Sequence, residues 1–296
     1  MKSFWPALFL VPALFFSSCT QLPVTGNDDP VEVENPVAED RYCYSFEINS
    51  GTAFSLLLNG VELVFFEGGS SYSAPVILND WMISGENEFS ITVFPPENSR
   101  TVSSRSFVLK KKNIADGVES ILYVLPQPGA DGKAGRDVTE RFTSENFPAT
   151  LIEKAQRVIS AAGVLPMTDQ REITSVVQRL KEAFAAKDIA TINALMKTKN
   201  ADLAAVRFLP PEECRAASEA FYLELINRTD LSVRPLNGHY SFLSTADDRL
   251  VKVMQGRVGF PEAAIILEYR DDGGKKIRYE QDLYFAKIDG AWIIIR

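Results

Sequence analysis

At 296 residues the chain is long enough for two domains of ordinary size, and its 46% apolar and 24% charged residues fit a globular protein with real cores. A formal net charge of −8 excludes the basic footprint of a nucleic-acid binder. Three cysteines are too few for a disulfide scaffold, and one histidine rules out a zinc site built on two or three imidazoles.

Residues 1–18 read as a signal segment. Lys2 supplies a short positive region, and Phe4 to Phe16 form a nearly unbroken apolar run. As a helix that run covers about 20 Å, too little for a hydrocarbon core of about 30 Å, so it suits an export signal better than a membrane span. Phe16-Ser17-Ser18-Cys19 resembles the lipobox of bacterial lipoproteins, although Phe16 stands where that family usually carries leucine. The resemblance implies cleavage before Cys19, acylation of its thiol with palmitate-type chains, and a membrane partner reached through the lipid. Thr20, in place of the aspartate that retains such proteins at the inner membrane, implies the outer membrane, facing the periplasm. Plain cleavage to a soluble secreted protein is the alternative. Loss of residues 1–18 removes only Lys2, leaving 30 basic against 39 acidic side chains, or −9.

Residues 19–41 are acidic, lack aromatic residues after the cysteine and carry Pro23, Pro30 and Pro36, so they cannot bury enough apolar surface to offset ordering entropy. They read as a disordered tether.

From Tyr42 the pattern alternates: Tyr42, Tyr44, Phe46 and Ile48 against Cys43, Ser45, Glu47 and Asn49, the period of a half-buried strand. Asn59-Gly60 between apolar runs predicts a hairpin, because a type I′ turn needs two positive-φ residues. Its simplest register pairs Leu58 with Val61, Leu56 with Leu63 and Phe54 with Phe65 on one face. A turn of helix is expected at Asp80–Ile83, then a strand with Phe89, Ile91 and Val93 inward. Strands near 103–109 and 118–125 complete the set, with Lys110-Lys111-Lys112 as a solvated strand end that resists edge pairing. The run Trp81-x-x-x-Gly85-x-Asn87 resembles the corner of small jelly-roll and immunoglobulin-like folds. Residues 42–126 are therefore expected to form an antiparallel β-sandwich.

Residues 127–168 read as a connecting segment. Gly132-Lys133 fails as a phosphate loop, with Gln127 where a glycine is needed and Ala134 where a serine or threonine is needed. Leu151, Ile152, Ala155, Val158, Ile159 and Ala162 recur at helical spacing, so 138–166 predicts a helix, or else an added strand of the sandwich.

Residues 169–296 predict three helices and then strands. Asp169 with Glu172 reads as a capping box, followed by an apolar stripe from Ile173 to Phe184. Asp188 caps a second helix, and Pro210-Pro211 opens a third with Cys214, Ala217, Phe221 and Leu225 inward. After Asn227 the period switches to two, with strands near 232–236, 240–245, 249–258, 263–270, 276–288 and 291–296. Matching apolar faces across Asp271-Asp272-Gly273-Gly274 places Glu268 opposite Arg278. Tyr284, Phe285, Asp289, Gly290 and Trp292, closing a helices-then-sheet sequence, resemble the last strands of the NTF2-like superfamily. That resemblance implies an α+β cone whose cavity serves some relatives as an active site, others as a ligand site, and is filled with side chains in the rest. The expected fold class is thus α+β multidomain, a β-sandwich followed by an NTF2-like unit.

The sequence offers few candidate reactive groups. His239 and Ser241 share one side of a strand, the minimum for a base–nucleophile pair, but no orienting carboxylate accompanies them. Glu280 and Asp282 form an i, i+2 carboxylate pair beside Arg278, and Tyr240 is a further acid–base candidate. Tyr222 and Trp292 could reach a cavity mouth as ligand contacts. Cys43 and Cys214 have no metal-ligand spacing and read as small buried residues, so neither metal nor cofactor is expected. The leading expectation is a lipid-anchored, non-catalytic binding module with a protein or small-ligand partner. The alternatives are an acid–base or hydrolytic enzyme using the cone's cavity, and an immunity-like periplasmic inhibitor.

Overall fold

A computed structural model describes residues 40–94, 106–125, 136–159, 164–236, 238–257, 260–271 and 273–296. The lipobox, Cys19, the tether up to residue 39 and Gly132-Lys133 lie outside these residues. The fold is mixed α+β, with several antiparallel sheets and four helices among the described residues.

The N-terminal half contains two four-stranded antiparallel sheets. One has the order β4 (Tyr72–Ile77), β1 (Tyr42–Ser50), β6 (Ser106–Asn113), β7 (Glu119–Val124). The other has the order β3 (Val61–Phe66), β2 (Phe54–Leu58), β5 (Gly85–Val93), β8 (Arg136–Ser144). Alternation decides their inner faces: Tyr44, Phe46 and Ile48 are buried while Glu47 and Asn49 point out. Rings from the two sheets meet edge to face, Phe46 on Phe89 at 4.9 Å and Phe54 on Phe107 at 5.1 Å.

The Asn59-Gly60 turn forms as expected, with φ of 50° and 75°. Its register does not. Leu58 faces Val61 and Leu57 faces Glu62, but a bulge then places Leu56 opposite Val64 and Phe54 opposite Phe66. One extra residue on β3 flips every later side chain to the other face, so Phe66 packs inward and Phe65 is left exposed. The helical turn near Asp80 is a 3-10 turn, Asn79–Trp81. The lysine run lies within β6, which is paired on both sides, so it marks no sheet edge. Lys110 instead reaches Glu47 at 2.7 Å and Lys111 reaches Glu145 at 2.6 Å.

The segment read as a connection contributes β8, which pairs along the whole of β5. The helix expected there shrinks to one turn, α1 (Leu151–Lys154), opened by a Thr150/Glu153 capping box. Beyond it the chain is extended, because Gln156 N–H donates to the Lys287 carbonyl at 3.0 Å and Val158 N–H to the Asp248 carbonyl at 3.0 Å. Those tertiary partners outweigh the helical spacing of the apolar residues.

Three helices follow: α2 (Met167–Ala185), α3 (Ile189–Val206) and α4 (Pro211–Ile226). Asp169 is not the cap of α2. The helix starts three residues earlier behind Pro166, which frees the Asp169 carboxylate to accept from Lys287 Nζ at 2.6 Å and Trp292 Nε1 at 3.0 Å. Asp188 does cap α3, accepting from Thr191 N–H at 3.1 Å. In α4, Cys214, Tyr222, Leu225 and Ile226 are buried while Ala217 is exposed.

The C-terminal strands form two sheets. One joins β10 (His239–Thr245), β11 (Leu250–Arg257), β15 (Leu283–Ile288) and β16 (Ala291–Ile294), with β12 (Phe260–Ala263) on β11. The other has the order β14 (Lys276–Gln281), β13 (Ile265–Arg270), β9 (Ser232–Val233). Glu268 faces Arg278 as the face-matching argument required. The single strand expected over 276–288 breaks at Asp282 and divides between the sheets. Ile173, Val177, Leu180 and Phe184 of α2 pack with Val251, Val253, Leu283 and Phe285 of the larger sheet in one core.

Candidate functional site

The sequence-named candidates do not assemble. His239 is exposed at the start of β10, and Ser241 of the same strand is half-buried. Glu280 is exposed and paired with Arg278 at 2.6 Å, whereas Asp282 is exposed and paired with Lys252 at 2.7 Å. Tyr222 is buried, accepts from Gln281 Nε2 at 3.2 Å, and burial pushes its hydroxyl up to about 12. Trp292 is buried with its indole N–H spent on Asp169. Cys43 is half-buried and Cys214 buried. Among the described residues, no group of three or more His, Cys, Asp and Glu side chains could hold a metal ion. Nor is any described helix long and apolar enough to cross a membrane.

Tyr240 belongs to a polar group inside the C-terminal half. Lys181 of α2, 5% exposed, donates to Gln255 Oε1 at 2.8 Å and sits 5.5 Å from the Tyr240 ring centroid. Gln255 Nε2 and Tyr240 Oη are buried with no hydrogen-bond partner among the described residues. Burial pushes the Lys181 amine below its ordinary value and the Tyr240 hydroxyl above its own.

The richest constellation lies where the two halves meet. The 3-10 turn carries Asn79, Asp80 and Trp81 against the end of α3. Asn79, 1% exposed, accepts from Tyr44 N–H at 2.7 Å and donates to the carbonyls of Tyr42 at 3.0 Å and Val206 at 2.9 Å. One amide thus ties β1 to α3. Beside it, Arg207 forks onto Asp80, with Nε to Oδ1 at 2.8 Å and Nη2 to Oδ2 at 2.6 Å. Burial works against ionisation of Asp80, but the hydrogen bonds and charge of Arg207 outweigh it and hold the carboxyl below the usual range.

Arg296 closes the seam from the other half. It donates through Nε to the Asp80 carbonyl and through Nη1 to Asp202 Oδ2 at 2.7 Å, an ion pair buried on both sides. Asp202 Oδ1 also accepts from Leu151 N–H at 3.0 Å, so α1 is pinned to α3 by the same carboxylate. Trp81 meets Tyr284 of β15 edge to face at 4.7 Å. Around these groups opens a pocket of about 300 Å³, contributed by β3, the 3-10 turn, α3, the β14–β15 break and the chain's last residue. Glu62 and Asp282 line it as exposed carboxylates, while Lys199, Arg207 and Arg296 supply cations.

Lys199 is the unbalanced member. Arg207 and Arg296 each have a carboxylate, but the Lys199 amine makes no hydrogen bond or ion pair among the described residues. Burial, then the neighbouring Arg296 charge, lowers its amine to about 8, with Arg207 adding to the fall and Asp80 opposing it. A lysine on a helix of weak amphipathicity gives no sequence signal of this kind; it arises from burial and from the approach of Arg296, nearly a hundred residues away.

No protein-family model, curated protein or solved structure matches this chain.

Proposed function

We propose that the chain is a lipid-anchored envelope protein that binds a ligand or partner rather than transforming it. In this reading Cys19 carries the acyl chains, residues 19–41 space the folded part from the outer membrane's periplasmic face, and the two halves are a β-sandwich and an NTF2-like unit. Paired sheets sharing one core support the first assignment, and three helices packed on antiparallel strands support the second.

The observation that carries the non-catalytic part is the condition of the acid–base candidates. Glu280 and Asp282 are exposed and each is neutralised by a cation, His239 is exposed, and the core shared by α2, α3 and the larger sheet holds Phe184, Met196, Leu283 and Phe285. A carboxylate that does general acid–base work is normally withdrawn from solvent and free to meet substrate, whereas these two stand in solvent, each against a cation.

Two or three acyl chains hold a protein stably at a membrane, since each buried methylene contributes about 0.8 kcal/mol. Cells fed labelled palmitate are expected to label the wild-type chain and not Cys19→Ser, which should move from the membrane to the soluble fraction. Equal fractionation of the two, with no label in either, would refute the anchor.

A further inference from the structure

We propose that the pocket between the two halves is a binding site for a small organic carboxylate with a flat apolar body, held by Lys199 and the spare Nη2 of Arg296. Three observations converge on it. First, Arg296 is only 5% exposed, yet Nη2 has no hydrogen-bond partner among the described residues, although its other two donor nitrogens are engaged. Second, Lys199 lines the same pocket as a cation without a counter-ion. Third, the pocket has an apolar wall, Trp81 held edge-on by Tyr284 with Leu63 and Leu203 beside it.

An unpaired ammonium and an unmet guanidinium N–H in one recess both lack an acceptor. A buried donor left unsatisfied costs about 1–3 kcal/mol, so a site that keeps Arg296 Nη2 unmet lowers stability unless something fills it. A carboxylate offers two oxygens for these two donors, in the charge-assisted pairing that arginine and lysine make best. The charges around the recess choose against phosphate. Asp80 and Asp202 are committed to Arg207 and Arg296, and Glu62 and Asp282 stand at the wall, so a dianion would meet four carboxylates with one unpaired cation in its favour. A volume of about 300 Å³ is at the small end of ligand pockets, enough for one ring and its acid group.

The lowered Lys199 amine makes the site pH-sensitive. The charged groups facing it are Asp80 on the 3-10 turn, Arg207 at the end of α3 and Arg296, with the neutral thiol of Cys214 on α4 as a further titratable group. Below about pH 8 the amine is protonated and holds the anion; affinity falls as pH rises through that value. The same shift destabilises the empty protein. The unfolded lysine binds its proton up to about pH 10.4, so the cost of the buried charge is fullest below pH 8 and fades above it.

This inference rests on the reading of the chain as a binding module, and it can fail while the lipid anchor stands, because its test does not touch Cys19. Isothermal titration calorimetry of the full chain with benzoate, benzamide and inorganic phosphate separates the possibilities. Benzoate should bind one to one at pH 6.5, with affinity at least tenfold weaker in Lys199→Met and within twofold of wild type in Lys197→Met, an exposed change of the same charge on the same helix. Benzoate affinity should also drop at least tenfold between pH 6.5 and 9.5. Benzamide, its neutral analogue, and phosphate should bind at least tenfold more weakly than benzoate. Lys199→Met should melt at a higher temperature than wild type at pH 6.5, so loss of binding could not be put down to misfolding. Equal benzoate affinity in Lys199→Met and wild type, or tighter binding of phosphate or benzamide, would overturn the proposal.

Discussion

Asn79 shows how much one side chain can carry. Its amide satisfies three backbone groups, one N–H and two carbonyls, drawn from β1 and from the last residue of α3. Asn87 does comparable work at the corner, accepting from Asn59 Nδ2 at 2.9 Å and Ile83 N–H at 2.9 Å while donating to the carbonyls of Ile83 and Gly85. Replacement of Asn79 by alanine leaves buried polar groups unmet, each at about 1–3 kcal/mol. Urea denaturation of Asn79→Ala should therefore show a loss of roughly 3 kcal/mol, and a loss under about 1 kcal/mol would mean that water replaces the amide. The Trp81-Gly85-Asn87 run stood out in the sequence, and Asn87 holds the chain between the 3-10 turn and β5 through Ile83 and Gly85. Asn79 was not, because an asparagine before an aspartate looks like any polar turn until α3 arrives beside it.

Elements followed the sequence where their cause is local. The Asn59-Gly60 turn, the Asp188 cap, proline at the start of α4 and the Glu268–Arg278 register all came from residues within about a dozen positions of one another. At Gly60 a Cβ would meet nothing closer than Ala246 N at 3.5 Å, so the cost of a side chain there is in the backbone, whose φ is +75°. Gly60→Ala should destabilise by about 1–2 kcal/mol in chemical denaturation, whereas Gly60→Asn should be tolerated within a few tenths, since asparagine visits the left-handed region readily. Equal losses in both variants would move the cause to the contact with Ala246. Elements departed from expectation where a distant partner intervened. The β3 bulge moved Phe65 outward, the 151–162 helix stopped after one turn because Gln156 and Val158 pair with the C-terminal sheet, and Asp169 left its capping duty for Lys287 and Trp292.

Across the whole molecule, the two halves are joined by buried contacts rather than by a linker. Leu203, Ala204, Val206 and Cys214 pack into the core of the N-terminal sheets, and Val61 shares a third core with Leu250, Tyr284 and Ile295. Thr245 Oγ1 donates to the Gly60 carbonyl at 2.5 Å, tying the hairpin tip to β10. The Arg296–Asp202 pair lies at the centre of this junction, with both side chains about 5% exposed. Removal of one partner strands a buried charge, so Asp202→Asn should cost about 3–5 kcal/mol. Calorimetry should show that loss in one transition shared by both halves; two separated transitions, with only one shifted, would show that the halves fold independently. The Lys199 pocket exists only because of this junction, which is why composition and spacing could not point to it.

The sequence by itself determined the period of strands such as β1 and β5, the Asp188 cap, the Asn59-Gly60 turn, the excess of acid over base and the lipobox-like stretch at Cys19. Those depend on local sterics, alternation and charge, which short range fixes. Tertiary structure alone decided the sheet partners of β8, the new tasks of Asp169 and Asn79, and the meeting of Lys199 with Arg296. Burial, desolvation and unmet hydrogen bonds are properties of packed surfaces, and they arise only when distant segments are brought together.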